Sequence, residues 1–166
     1  MAFYQISSVQ NIPASIDEVW DYFTSHKNLK KITPPDMGFD ITSQHPEGIK
    51  VYPGMIITYK VRPLFGIPVS WMTEITQVKE KEYFIDEQRF GPYAMWHHQH
   101  FFKPIEGGVE MTDIVDYKLP LGILGDIAHP ILVKNRLKQI FDYRFKKVEE
   151  IFGVYNNPQR TKAVSS

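Results

Sequence analysis

Trp96-His97-His98-Gln99-His100-Phe101-Phe102 and Met111-Thr112-Asp113-Ile114-Val115-Asp116-Tyr117, joined through a turn at Glu106-Gly107, decide the reading of the whole chain. Side chains alternate across a strand, so Trp96, His98, His100 and Phe102 share one face of theirs. Met111, Asp113, Val115 and Tyr117 do the same in the second run. A two-residue loop at Glu106-Gly107 sets odd positions of one strand opposite even positions of the other. The two quartets then form one continuous face of a β-hairpin. The reverse side carries His97, Gln99, Lys103, Glu110, Thr112, Asp116 and Lys118 and reads as solvated. A sheet with one wet face has to cover the other.

Working outward, strand periodicity reaches back to Phe39. Candidate strands are Ala2–Ile12, Phe39–Gln44, Met55–Arg62, Ile67–Val78, Tyr83–Phe90, Tyr93–Lys103 and Val109–Leu119. Short Pro/Gly or charged turns separate the later six, which favours consecutive antiparallel pairing. In Ile67–Val78 either Trp71/Ile75 or Met72/Val78 could point inward. After the first strand, Ser15-Ile16-Asp17-Glu18 forms a capping box, and Ile16, Val19, Trp20 and Phe23 follow at helical spacing. Leu29 and Ile32 suggest a further turn, stopped by Pro34-Pro35. Beyond Pro120, Val133, Leu137, Ile140, Phe141, Val148, Ile151 and Phe152 form the apolar stripe of a helix running from about Asp126 to Phe152. A helix of about 26 residues spans about 39 Å. A strand of about 11 residues spans about 36 Å. The helix can therefore lie along the whole sheet. The expected fold is α+β: a seven-stranded antiparallel curved sheet wrapped around a long C-terminal helix, with two short helices after strand 1. Residues 1–153 are expected to form one domain and 154–166 a disordered tail.

Composition removes several function classes. The 166-residue chain has no cysteine, which excludes disulfides, thiolate metal sites and cysteine nucleophiles. Lys+Arg and Asp+Glu stand at 19 each with no basic stripe, so no nucleic-acid partner is expected. No apolar run approaches the roughly 20 residues of a membrane span. The first residues enter a strand pattern without a basic segment and apolar core, so the expected location is cytoplasmic.

The run Asp86-Glu87-Gln88, Gly91-Pro92-Tyr93, Trp96-x-His98-x-His100-x-Phe102, Met111-x-Asp113-x-Val115-x-Tyr117 continues into Leu119-Pro120-x-Gly122 and Ile140-Phe141-x-Tyr143-Arg144. With the element order above, this resembles the SRPBCC (START-like, pollen-allergen-like) ligand-binding superfamily, and within it a bacterial branch. The resemblance covers nearly the whole chain, and its specific motifs lie mostly in residues 84–145. It implies the helix-grip fold and a cavity. Members of the superfamily include lipid carriers, hormone receptors, aromatases/cyclases and quinone-binding proteins, so function has to be argued from the site.

A two-residue Gly91-Pro92 loop would add Tyr83, Ile85, Glu87 and Arg89 to the covered face and leave Asp86 and Gln88 outside. The expected cavity residues are then Glu87, Arg89, Trp96, His98, His100, Met111, Asp113, Val115 and Tyr117 from the sheet, with Leu137 and Phe141 from the helix. Five polar groups on a concave face need partners, because unpaired buried charge is costly. Arg89 with Glu87, and one histidine with Asp113, would satisfy them. The same histidine and Asp113 could instead meet a ligand hydroxyl or carbonyl. His98-x-His100 plus a carboxylate also has a spacing that suits a metal, but the expectation is no metal and no cofactor. His26, His45 and His129 read as loop or surface residues.

Three apolar loops collect at one end of the sheet and place Leu64, Phe65, Phe90, Tyr93, Leu121 and Leu124 there as a cavity mouth; folding over one another to cap the sheet is the alternative. The expected function is binding or carriage of a small, largely apolar ligand (lipid-, polyketide- or isoprenoid-like). A cyclase/dehydratase-like enzyme with a His/Asp acid–base pair, or a module docking through its apolar end, are the competing readings. No catalytic residue is assigned.

Overall fold

The computed structural model describes residues 2–63, 66–120 and 132–156. Strand β1 (Tyr4–Ile12) leads into helix α1 (Ile16–Phe23), then two 3-10 segments at His26–Ile32 and Pro35–Met37. Strands β2 (Asp40–Ile41), β3 (Ile56–Val61), β4 (Val69–Lys79), β5 (Tyr83–Phe90), β6 (Met95–Ile105) and β7 (Gly108–Lys118) follow. Helix α2 (Lys134–Phe152) comes last. The expected α+β architecture is present: one seven-stranded antiparallel sheet in the order β1-β7-β6-β5-β4-β3-β2, with the long helix on its inner face.

Local chemistry accounts for several boundaries. The Ser15 hydroxyl accepts from the Glu18 amide while the Glu18 carboxylate accepts from the Ser15 amide, so the capping box starts α1. Strand β2 is shorter than expected because Thr42 and Ser43 both donate to the one Thr58 carbonyl, which ends the ladder. The β6–β7 turn is the expected two-residue one, with Gly107 at φ 75° and Ile105 opposite Gly108. Its register pairs Trp96 with Tyr117, His98 with Val115, His100 with Asp113 and Phe102 with Met111.

The core is solid on one side only. Helix α2 packs Val133, Leu137 and Phe141 against Ile6, Val115, Tyr117 and Leu119 of the β1/β7 half. Two turns further on, Val148 meets Ile12, Val109 and Met111. Each such fully buried aliphatic side chain contributes about 1.5–3 kcal/mol. The Gln10 amide donates to the Phe145 carbonyl at 2.9 Å and ties α2 to β1. Helix α1 seals the lower end, with Trp20 edge-on to Phe102 and Phe84 at 5.4 and 6.2 Å between ring centroids. Ile151, expected in the apolar stripe, is exposed, because the helix turns that position away from the sheet. Of the expected tail, Tyr155 donates its hydroxyl to the Glu106 carbonyl at 2.5 Å, and residues 157–166 lie outside the described set.

Candidate functional site

Because α2 lies over β1 and β7, the other half of the sheet is left partly uncovered by it. Strand β4 carries two register shifts, at Met72/Thr73 and Ile75/Gln77; such irregularities bend a strand and increase its twist. Between this curved half-sheet, the first 3-10 segment and the flank of α2 lies a cavity of about 190 Å³. Ile57, Tyr59 and Val61 of β3 and Trp71, Thr73 and Ile75 of β4 form its far wall. Leu137, Ile140 and Phe141 of α2 form the near one. The inward set of β4 is thus the Trp71/Ile75 one, and Met72 points out.

Asp86, His98, His100 and Arg144 build a charged pole of the cavity, with Asp113 immediately behind them. His100 bridges two carboxylates: its Nδ1 lies 2.6 Å from Asp113 Oδ1 and its Nε2 lies 2.9 Å from Asp86 Oδ2. Both ring nitrogens facing carboxylates requires both to carry hydrogen, so His100 is an imidazolium. Arg144 reaches Asp113 at 3.4 Å. His98 stacks beside His100 with ring centroids 3.8 Å apart. Its Nδ1 is 3.7 Å from Asp86. Its Nε2 is 3.3 Å from Asp113 but outside hydrogen-bond geometry, which leaves that buried nitrogen unpartnered. Two carboxylates, one imidazolium and one guanidinium sum to zero charge.

Burial alone would raise the carboxyls of Asp86 and Asp113. For Asp86 the hydrogen bond from His100 and the nearby positive charges outweigh it and lower the pKa. For Asp113 the Arg144 charge and the hydrogen bond from His100 hold the group well below the usual carboxylate range. Burial also disfavours the His100 cation, yet Asp113 and Asp86 together raise its pKa. Burial, with the charge of His100 added, keeps His98 lowered and neutral. A His whose folded pKa is raised contributes stability that is full below its unfolded value and lost as pH rises through the folded one. Replacing His100 by Asn should therefore cost more stability at about pH 5 than at about pH 9. Urea unfolding at the two pH values checks this, and an equal or reversed difference means that His100 is neutral in the fold.

Several expected residues fall elsewhere. Glu87 and Arg89 are not in the cavity: they lie on the outer face, Arg89 bonded to Glu74 at 2.6 Å and Glu87 at 3.1 Å, with His97 against Glu87 at 3.0 Å. The cause is the β5–β6 connection. Its register pairs Phe84 with His100 and Asp86 with His98, even with even, which a two-residue Gly91-Pro92 loop forbids. The last pair is Glu87 with His97, so the connection spans residues 88–96, an odd number, and the Gln88 side chain splints it by donating to the Tyr93 carbonyl and accepting from the Tyr93 amide. A Cβ on Gly91 would sit 2.4 Å from Gln88 Oε1, so the splint needs glycine there. The shift by one residue brings Asp86 in, beside the imidazoles. Met111, Val115 and Tyr117 belong to the solid core under α2 and do not line the cavity. Trp96, His98, His100, Leu137, Phe141 and Tyr93 line it; Phe90 is 65% exposed and does not. Leu64, Phe65, Leu121, Leu124, Asp126 and His129 lie outside the described residues.

Three contributors escaped the sequence reading. Arg144 sits on the buried face of α2 between Phe141 and Val148, and a basic residue inside an apolar stripe was the available signal. Asp86, expected on the outer face, points inward with its strand's observed register. His26 is 7% exposed, packs edge-on against His45 with ring centroids 5.0 Å apart, lines the cavity and leaves its Nδ1 unpartnered. Nothing in its local sequence marked it as buried.

No protein-family model and no curated protein matches this chain. Solved structures do. A START superfamily protein from Mycobacterium smegmatis superposes with a TM-score of 0.65 at 12% identity, over 89% of this chain and 99% of that one. Protein CV1439 from Chromobacterium violaceum gives 0.66 at 13% identity, over 91% and 98%. Ara h 8.0201 gives 0.64 at 14% identity, over 91% and 98%. The chain therefore shares the helix-grip fold of these structures. At these identities the likeness is one of fold. No described helix is long and apolar enough to cross a membrane.

Proposed function

We propose that the protein binds one small, uncharged, largely apolar molecule in the cavity, with its single polar group turned toward His98. The observation that carries this is a largely apolar cavity of about 190 Å³ ending at a charge-balanced polar pole where His98 forms part of the wall. A dry apolar cavity of roughly 150 Å³ accepts a benzene-sized guest, and pockets for drug-sized molecules start at about 300 Å³. One ring or a short branched chain fits; a multi-ring polyketide or a long acyl chain would require the cavity to widen. An ionic headgroup would unbalance a pole that already sums to zero.

The test is calorimetric titration with phenol, 4-methylphenol, 4-ethylphenol and 4-propylphenol. Each added methylene should strengthen binding by about 0.8 kcal/mol, roughly fourfold, until the cavity is full. Ile140→Trp, which fills the near wall, should weaken 4-propylphenol at least about tenfold with the far-UV spectrum unchanged. No binding by the folded wild type, or binding indifferent to Ile140→Trp, would refute the proposal.

A second reading, acid–base chemistry on a bound carbonyl compound, is favoured by one observation. His98 is held neutral and His100 cationic 3.8 Å apart on the same wall, the separation of environments that an acid and a base require. Native mass spectrometry of wild type and His98→Gln, both purified from cells, separates the two: the same retained molecule means binding, and a differently transformed one means chemistry.

A further inference from the structure

We infer that Asp86, His98 and His100 form a divalent transition-metal site whose open position faces the cavity. Their donor atoms lie within 4.8 Å of one another. In a tetrahedral site with metal–ligand bonds of about 2.0–2.2 Å, ligand atoms stand roughly 3.3 Å apart. Asp86 Oδ2 is 2.9 Å from His100 Nε2 and 3.7 Å from His98 Nδ1, distances that bracket that value. Two imidazoles and one carboxylate, with no thiolate anywhere in the chain, suit Zn²⁺, Fe²⁺ or Co²⁺ rather than Ca²⁺ or Cu⁺.

The surroundings also match a metal centre. A ligating imidazole characteristically gives its second N–H to a carboxylate, which fixes the ring and strengthens it as a ligand. His100 does this: when Nε2 faces the metal, Nδ1 donates to Asp113 at 2.6 Å. His98 offers the same arrangement, since its Nε2 lies 3.3 Å from that same Asp113 oxygen and has no partner now. A small ring rotation toward the metal would give it one. Asp113 thus serves two ligands, and the Arg144 guanidinium contacts Asp113. Asp86, His98 and His100 all line the cavity, so the remaining coordination position opens on to it.

A divalent ion held by Asp86, His98 and His100 adds positive charge at the polar pole, so the open position prefers a ligand oxygen with negative character.

The experiment titrates metal-stripped, full-length protein with Zn²⁺ and, separately, Co²⁺, with no organic ligand present. One ion per chain is expected, with visible bands of low-coordinate Co²⁺. His98→Ala and Asp86→Asn should each weaken Zn²⁺ at least about 100-fold, and Asp113→Asn about 10–100-fold, without altering the donor set. His97→Ala and His45→Ala, which remove imidazoles outside the cluster, should leave affinity unchanged. Should the two ligand variants fail to fold, the wild-type stoichiometry and Co²⁺ spectrum still decide. Absence of stoichiometric binding by folded wild type, octahedral Co²⁺ bands, or affinity indifferent to His98→Ala and Asp86→Asn would overturn the inference. The site shares the cavity proposed above for an apolar ligand, but these readouts need no phenol, so either proposal can fail alone.

Discussion

Asp113→Ala is expected to lower the stability of the fold by about 3–5 kcal/mol, the cost of removing one partner from a buried ionic cluster. Asp113 is buried, accepts from His100 at 2.6 Å and faces Arg144 at 3.4 Å. Its removal leaves an imidazolium and a guanidinium beside an apolar wall with only Asp86 to balance them. Adding Arg144→Met to Asp113→Ala should recover part of the loss, because the second change removes the stranded charge. Urea unfolding of the two single variants and the double variant measures all three costs at once. A loss below about 1 kcal/mol for Asp113→Ala, or a double variant no better than the sum of the singles, would mean that water reaches the pole and screens it.

Trp71→Ala is expected to cost about 3–5 kcal/mol, the range for truncating a large buried aromatic. Trp71 is stacked on Tyr59 at 5.8 Å between centroids, stands edge-on to Trp96 at 5.4 Å and to Tyr93 at 5.6 Å, and donates from Nε1 to Thr73 at 3.1 Å. The void opens into the existing cavity, so the variant should also accept alkylphenols longer than wild type does. Its neighbour Met72 is partly exposed on the other face, and Met72→Ala should stay within about 0.5 kcal/mol. Similar costs for the two would place the wrong face of β4 inward.

Periodicity and turn chemistry were enough for the architecture. The Ser15/Glu18 capping box and the two-residue Glu106-Gly107 turn are local signals, and each corresponds to an observed feature. The turn also placed His98, His100 and Asp113 on one face, because a two-residue loop leaves no freedom of parity. Where the loop chemistry was not local, the reading inverted. Gly91-Pro92 looked like a two-residue turn, but Gln88 reaches forward to both backbone groups of Tyr93, and that side-chain splint moves the register by one. A shift of one exchanges the faces of a strand, which put Glu87 and Arg89 outside and Asp86 in. The hairpin sequence determined by itself that two histidines and an aspartate would meet. Tertiary packing decided the rest: α2 settled over β1 and β7 rather than the middle of the sheet, so Met111, Val115 and Tyr117 became core while Trp71, Tyr59 and His26 became cavity wall. It also turned Arg144 inward on to Asp113. Those choices depend on which half of a curved surface a helix fills best, a sum over many side-chain volumes that no local spacing records.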